Sequence, residues 1–306
     1  MVTTYKSELA EKISKLRTER KAVILAHNYQ RPEIQDIADF VGDSLELSQN
    51  AARTDAEVVV FCGVHFMAET ASILSPNKKV LMPDLDAYCP MANMITAEQL
   101  RERKETLPGV PVVCYVNTSA EVKAESDICC TSANALKVVE SVESDSVLFV
   151  PDQYLANFIA SKTKKQIHYW PGYCPTHARI QAEDILKLKA EYPQAKVMAH
   201  PECKPDVIAL ADEVLGTGGM LRFARQSDAK EFIVGTETGI IYRLGKENPG
   251  KKFIAASDKA VCGRMKITTL EKVLWCLEDL APEVKVPEDI RVRAKAAVDK
   301  MLAIGR

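Results

Sequence analysis

The chain lacks a charge imbalance, a long apolar run, a low-complexity linker and a secretory leader, and each absence removes a class of function. Its 40 basic and 42 acidic residues leave a net charge of -2 and are interspersed. No basic stripe is offered to a nucleic acid, so no such partner is expected. No apolar run approaches the length of a membrane span, which argues against a membrane. The segment from Met1 to Leu9 has no apolar signal-peptide core, so a cytoplasmic protein is expected. In that reducing compartment nine cysteines point to thiols, metal binding or catalysis, not to a disulfide framework.

What is present is the composition of a folded protein, 47% hydrophobic and 27% charged, over 306 residues. That length exceeds what one core usually sustains and favours two or three domains. A tripled segment selects three. Each copy starts at a Lys-Lys pair, at 78, 164 and 251, and runs on to one cysteine in Tyr-Cys-Pro, Tyr-Cys-Pro and Val-Cys-Gly. These cysteines are Cys89, Cys174 and Cys262, separated by 85 and 88 residues. Equivalent loops of three similar domains about a pseudo-threefold axis would bring three thiolates to one point. Three ligands leave a position open on zinc or on one iron of a cluster, and an open position suggests catalysis. The alternative for any single cysteine is a small buried hydrophobe. That reading is kept for Cys62, Cys114, Cys129, Cys130, Cys203 and Cys276, which lack counterparts in the repeat.

Each copy reads as a helix followed by alternating strands and helices. The opening helices carry apolar residues at helical spacing, Leu9, Ile13 and Leu16, then Leu100 with Leu107, then Ile185, Leu188 and Tyr192. Short apolar runs at 22–26, 110–115 and 196–199 predict first strands, and 57–61, 146–150 and 231–234 predict third strands. Fourth strands should begin at the Lys-Lys pairs. The expected fold is α/β, three pseudo-threefold-related α/β/α domains, each with a small parallel sheet. Breaks in the helical pattern place the domains at 1–107, 108–193 and 194–306, the last with an extra amphipathic helix from Pro287.

Polar pairs end the first strands: His27 with Tyr29, Tyr115 with Asn117, and His200 with Glu202. Residues i and i+2 of an extended segment point to one side, and ligands of parallel sheets gather beyond the carboxyl ends of strands. His200 and Glu202 are acid-base candidates, and Tyr29 and Tyr115 could supply phenolic protons. Ser44, Ser132 and Thr217 fall where a strand turns into a helix. There a hydroxyl either caps the first turn or helps the helix end hold a carboxylate or phosphate. His177, three residues past Cys174, is assigned near the substrate. His65, His168 and Glu69 are read as structural.

Five motifs, Ala-His-Asn-Tyr-Gln at 26–30, Gly-Val-His-Phe-Met-Ala-Glu at 63–69, Trp-Pro-Gly-Tyr-Cys-Pro-Thr-His at 170–177, Ala-His-Pro-Glu-Cys at 199–203 and Thr-Glu-Thr-Gly-Ile-Ile-Tyr-Arg-Leu at 236–244, resemble the quinolinate synthase family over essentially the whole chain. The resemblance implies a 4Fe-4S cluster held by Cys89, Cys174 and Cys262 with one open iron acting as Lewis acid. It implies that iminoaspartate condenses with dihydroxyacetone phosphate, losing phosphate and water to give quinolinate for NAD biosynthesis, with a functional link to the enzyme supplying iminoaspartate. It also implies substrate contacts at His27, Ser44, Tyr115, Asn117, Ser132, His177, His200, Glu202 and Thr217, with Tyr29 in proton transfer. A zinc hydrolase or lyase, and a regulatory iron-sulfur sensor, are the other classes open to the cysteines alone.

Overall fold

A computed structural model describes residues 2–305. It contains three four-stranded sheets, and every strand pairing within them is parallel. The first holds β1 (Ala22–His27), β2 (Phe40–Gly42), β3 (Val58–Cys62) and β4 (Lys79–Leu81). The second holds β5 (Val112–Tyr115), β6 (Ile128–Cys130), β7 (Ser146–Val150) and β8 (Gln166–Tyr169). The third holds β9 (Lys196–Ala199), β10 (Glu213–Val214), β11 (Glu231–Gly235) and β12 (Lys252–Ala255). The spatial order is the same in each, β2-β1-β3-β4, β6-β5-β7-β8 and β10-β9-β11-β12. The α/β class and its threefold repetition therefore stand as the sequence indicated.

The repeat has a physical basis in two sets of polar contacts. Asp39, Asp127 and Asp212 each turn a carboxylate onto the backbone N–H of the neighbouring first strand, at Ile24, Val112 and Val197, over 2.8, 2.7 and 2.8 Å. A buried N–H without a partner is costly, so each aspartate sets where its second strand begins to pair. The Lys-Lys pairs contribute the other set. Lys78, Lys165 and Lys251 donate to terminal carbonyls of the helices Ser44–Arg53, Ala135–Ser141 and Thr217–Gln226, for example Lys251 to Ala224 O at 2.6 Å. An ammonium there satisfies orphan carbonyls and the negative end of the helix dipole.

The end of the chain closes the arrangement. The helix Leu270–Asp279 packs on the helix Val2–Glu19 and on the first sheet, where Leu270, Val273 and Leu277 share a core with Ile13, Ile24 and Val60. The helix Glu288–Ile304 lies against the helix Ala120–Ala124, β6 and the helix His65–Leu74, burying Ala294, Ala297, Val298 and Met301. It thus bridges the first and second sheets' layers. No described helix is long and apolar enough to cross a membrane.

Leu277 is fully buried in the core of the first sheet, so Leu277→Ala is expected to lower the unfolding free energy by about 2–5 kcal/mol. Urea denaturation of the metal-free protein checks this. A loss below about 0.5 kcal/mol would mean that the helix from the third repeat adds nothing to that core.

Candidate functional site

A parallel sheet covered by helices offers polar chemistry only at its edges, and here the carboxyl ends of strands from all three sheets open on one cavity. Its atom-free space is about 670 Å³, part of it open to solvent. The polar pairs at the ends of β1, β5 and β9 line it, as do Ser44, Ser132 and Thr217 beyond the second strands. Cys89, Cys174 and Cys262, carried by the loops after β4, β8 and β12, line it as well, together with His177. The structure thus brings every site residue inferred from the sequence into a single chamber.

Each cysteine is followed by one 3-10 turn: Ala92–Met94, His177–Arg179 and Gly263–Lys266. Backbone N–H groups of these turns face the sulfurs, from Met91 and Ala92 to Cys89, from His177 to Cys174, and from Arg264 and Met265 to Cys262. Burial pushes the Cys89 thiol up to about 12 and raises the Cys174 and Cys262 thiols too. A bound cation would reverse that preference, because a coordinating thiol gives up its proton. One tetrahedral zinc would draw three sulfurs to about 3.8 Å of each other. Among the described residues, the ligand atoms that all lie within 4.8 Å of one another belong to Cys174, His177 and Glu202. The three cysteine sulfurs are not gathered so closely, a spacing compatible with an iron-sulfur centre that binds each thiolate at a separate iron.

His27 and His200 occupy equivalent turns and are held alike. The Nδ1 of His27 accepts from Tyr29 N at 3.2 Å, and that of His200 from Glu202 N at 3.3 Å. An imidazole whose Nδ1 accepts carries its proton on Nε2, which turns both rings into donors. Burial lowers each to about 3, so both are neutral near pH 7. The His200 ring stacks on that of His177 at 4.6 Å between centroids.

A continuous hydrogen-bonded chain crosses the cavity. The Tyr29 hydroxyl meets Thr236 Oγ1 at 2.6 Å, and Thr236 Oγ1 meets His177 Nε2 at 2.8 Å. On its other side His177 Nδ1 lies 2.8 Å from Glu202 Oε2 and 3.1 Å from Cys174 Sγ. The Tyr115 hydroxyl donates to Glu202 Oε1 at 2.5 Å. Burial would raise the Glu202 carboxyl, but the His177 imidazole at 2.8 Å and the hydroxyl of Tyr115 outweigh it and keep it ionised. Burial and the same carboxylate hold both tyrosines protonated. Asn117 Oδ1 is buried without a partner, an acceptor left for whatever enters.

The hydroxyls beyond the second strands differ from simple caps. Ser44 and Thr217 are the first residues of their helices, and the capping positions belong to Asp43 and Gly216. Asp43 completes a capping box with Glu46. Ser132 precedes a helix that starts only at Ala135 and whose N-cap position is held by Asn134 without a side-chain cap. Thr217 Oγ1 accepts from Asn28 Nδ2 at 2.9 Å, and Arg243 in turn holds Asn28 Oδ1 at 2.8 Å. Glu69, read as structural, is buried, and its Oε2 accepts from Ala120 N at 3.2 Å, tying the first repeat to the second.

Sequence reasoning missed the ends of the third strands. The 88 and 85 offsets relate Val64, Asp152 and Glu237, and the repeat could have found them. Val64 and Glu237 line the cavity, whereas Asp152 and Glu237 are two fully buried carboxylates. Asp152 Oδ1 caps the helix Gln153–Ala160 through Tyr154 N and Leu155 N, both at 2.8 Å. Glu237 holds the loop of the third cysteine, accepting from Cys262 N at 3.1 Å.

Fold and site together define a class: a three-repeat α/β protein with one buried, polar chamber and three convergent cysteine loops. A family model described as quinolinate synthetase A protein matches residues 11–303. The chain is 64% identical over 300 residues to quinolinate synthase of Dehalococcoides mccartyi strain CBDB1, covering 98% of this chain and 99% of that one. It is 57% identical over 302 residues to the quinolinate synthase of Geotalea uraniireducens, covering 99% of each. With that of Methanosarcina barkeri it shares 56% identity over 298 residues, 97% of this chain and 98% of the other. The chain belongs to the quinolinate synthase family of enzymes.

The two depressed imidazoles carry a pH dependence whose sign is set by burial. Below the ordinary histidine value near 6.5, an unfolded chain takes up protons at positions 27 and 200 that the folded chain refuses until about pH 3. Stability is therefore fully present above that range and falls as the pH drops through it, by up to about 1.4 kcal/mol per pH unit for each ring. Urea midpoints of metal-free protein should show the decline between about pH 6.5 and pH 4.5, and a His27→Gln/His200→Gln variant should flatten it. An unchanged slope in that variant would refute the assignment.

Proposed function

We propose that this chain makes quinolinate from iminoaspartate and dihydroxyacetone phosphate, with loss of phosphate and water, in NAD biosynthesis. The observation that carries the reading is the convergence of Cys89, Cys174 and Cys262 on the same chamber as a full set of proton-moving and anion-binding side chains. The three cysteines would hold a 4Fe-4S cluster with one iron lacking a protein ligand. Bound there, the cluster supplies a Lewis-acidic site for a substrate oxygen or nitrogen.

The chain's own residues do the rest. Neutral His27 and His200 donate Nε2–H to anionic oxygens. Ser44 and Thr217 add hydroxyls at helix ends whose free N–H groups favour carboxylate or phosphate, and Ser132 adds a third hydroxyl. Asn117 Oδ1 accepts a hydrogen from a substrate amine or hydroxyl. Tyr29 is a proton donor kept in its protonated form, and Thr236 and His177 connect it to Glu202, the base. Tyr115 orients that base through its hydrogen bond to Glu202 Oε1.

A second reading rests on the tight Cys174, His177 and Glu202 group, whose ligand atoms could hold one zinc ion. Iron, sulfide and zinc analysis of anaerobically purified protein separates the two, since zinc gives neither labile sulfide nor a brown chromophore.

Anaerobic assay with both substrates tests the activity directly, with quinolinate as the expected product. Cys89→Ser, Cys174→Ser and Cys262→Ser are each expected to lose cluster iron and turnover, while Cys276→Ser retains both. Normal iron in any of the first three would remove that residue from the ligand set. Glu202→Gln is expected to keep its iron and lose about 100-fold or more in kcat; full activity in that variant would end its assignment as the base.

A further inference from the structure

The loop of the third cysteine is fastened to the turn of Tyr29 through Lys266. Lys266 closes the turn Gly263–Lys266, and its ammonium lies 3.0 Å from Glu237 Oε1 and 3.2 Å from Oε2. The same ammonium donates to the backbone carbonyl of Tyr29. From the other side Arg31 Nε donates to the carbonyl of Lys266 at 2.6 Å. Glu237 is fully buried, and its remaining acceptor capacity takes Cys262 N at 3.1 Å and Gly239 N at 2.7 Å.

The space around this junction leaves no room for a side chain at Gly239. A Cβ there would stand 2.5 Å from Lys266 Nζ, 2.7 Å from Tyr29 O and 2.8 Å from Glu237 Oε2. Lys266 is also foreign to the repeat: Asn93 and Ala178 occupy the equivalent positions. It therefore answers a need of the third cysteine and the first strand end, not a need of the scaffold.

We propose that Lys266 is a positioning residue that couples the placement of Cys262 to the placement of Tyr29, with Glu237 as the shared anchor. Its ammonium fixes Glu237, Glu237 fixes the N–H of Cys262, and the same ammonium fixes the carbonyl of Tyr29. Tyr29 is then held at both ends, by Lys266 at its carbonyl and by Thr236, the residue before Glu237, at its hydroxyl. This rests on the reading of Cys262 as a cluster ligand and Tyr29 as a proton donor.

The test compares anaerobically loaded wild type with Lys266→Met and Gly239→Ala, measuring iron release to a strong chelator and, separately, kcat and KM. Removing a partner that orients a metal ligand typically costs about 10- to 100-fold in affinity or activity. Both variants are expected to release iron about tenfold faster or more and to lose kcat by a similar factor, with KM little changed because Tyr29 does not grip the substrate. Lys266→Met strands a buried carboxylate, and a variant that fails to fold on that account is recognised by circular dichroism. Gly239→Ala then decides, together with the Glu237→Gln/Lys266→Met pair, which leaves no buried charge. A folded, loaded variant in which iron release or kcat stays at the wild-type value overturns the coupling. Wild type that holds no cluster or yields no quinolinate overturns the underlying reading and this inference with it, an outcome visible before any variant is measured.

Discussion

The polar chamber of this protein depends on one constraint: a parallel sheet covered on both faces can present unpaired groups only beyond its strand ends. Twelve strands in three sheets are bound by that rule. The central strands are almost wholly buried, β3 over its full length and β1 after its first residue. Chemistry is consequently excluded from the sheets and concentrated where their carboxyl edges meet. The cavity they share is the geometric result of repeating that edge three times.

Repetition supplies a scaffold, and departures from it supply the site. The contacts that set each sheet are the same three times over, in Asp39, Asp127 and Asp212 and in the lysines that cap the second helices. The residues facing the cavity at equivalent positions are not. Position 27 and its counterparts are His, Tyr and His; position 29 and its counterparts are Tyr, Asn and Glu. A threefold-symmetric chamber would suit a symmetric ligand, whereas these substitutions place a carboxylate, a phenol and a neutral amide at three different corners. The hydrogen-bonded chain from Tyr29 to Tyr115 passes through all three repeats for this reason.

Burial then assigns the protons. A shielded carboxylate survives at Glu202 because donors converge on it, and two shielded imidazoles stay neutral because burial penalises their charged form, while a backbone N–H at each Nδ1 places the proton on Nε2. These states are properties of the assembled chamber. Neither could be assigned to a histidine or glutamate in an isolated loop.

The number of repeats, the parallel class of the sheets and the three cysteine positions were legible along the chain, because periodic apolar runs and fixed offsets are local quantities. First strands expected at 22–26 and 196–199 stand at Ala22–His27 and Lys196–Ala199, and the third strand at 146–150 stands unchanged. Whether Ser44 and Thr217 cap their helices was left open along the chain; Asp43 holds the first N-cap position with its carboxylate and Gly216 holds the other with no side-chain cap. Asp152, Thr236 and Glu237 lay within reach of the same offsets but carried no signal as single residues in loops. Lys266 carried none even there, having no counterpart in the repeat. Sequence by itself determined what repeats, since pairing, helix capping and core burial act between neighbours in the chain. Tertiary structure alone decided what does not repeat, because the partners of Tyr29, Glu202 and Lys266 are brought together only when three distant strand ends meet.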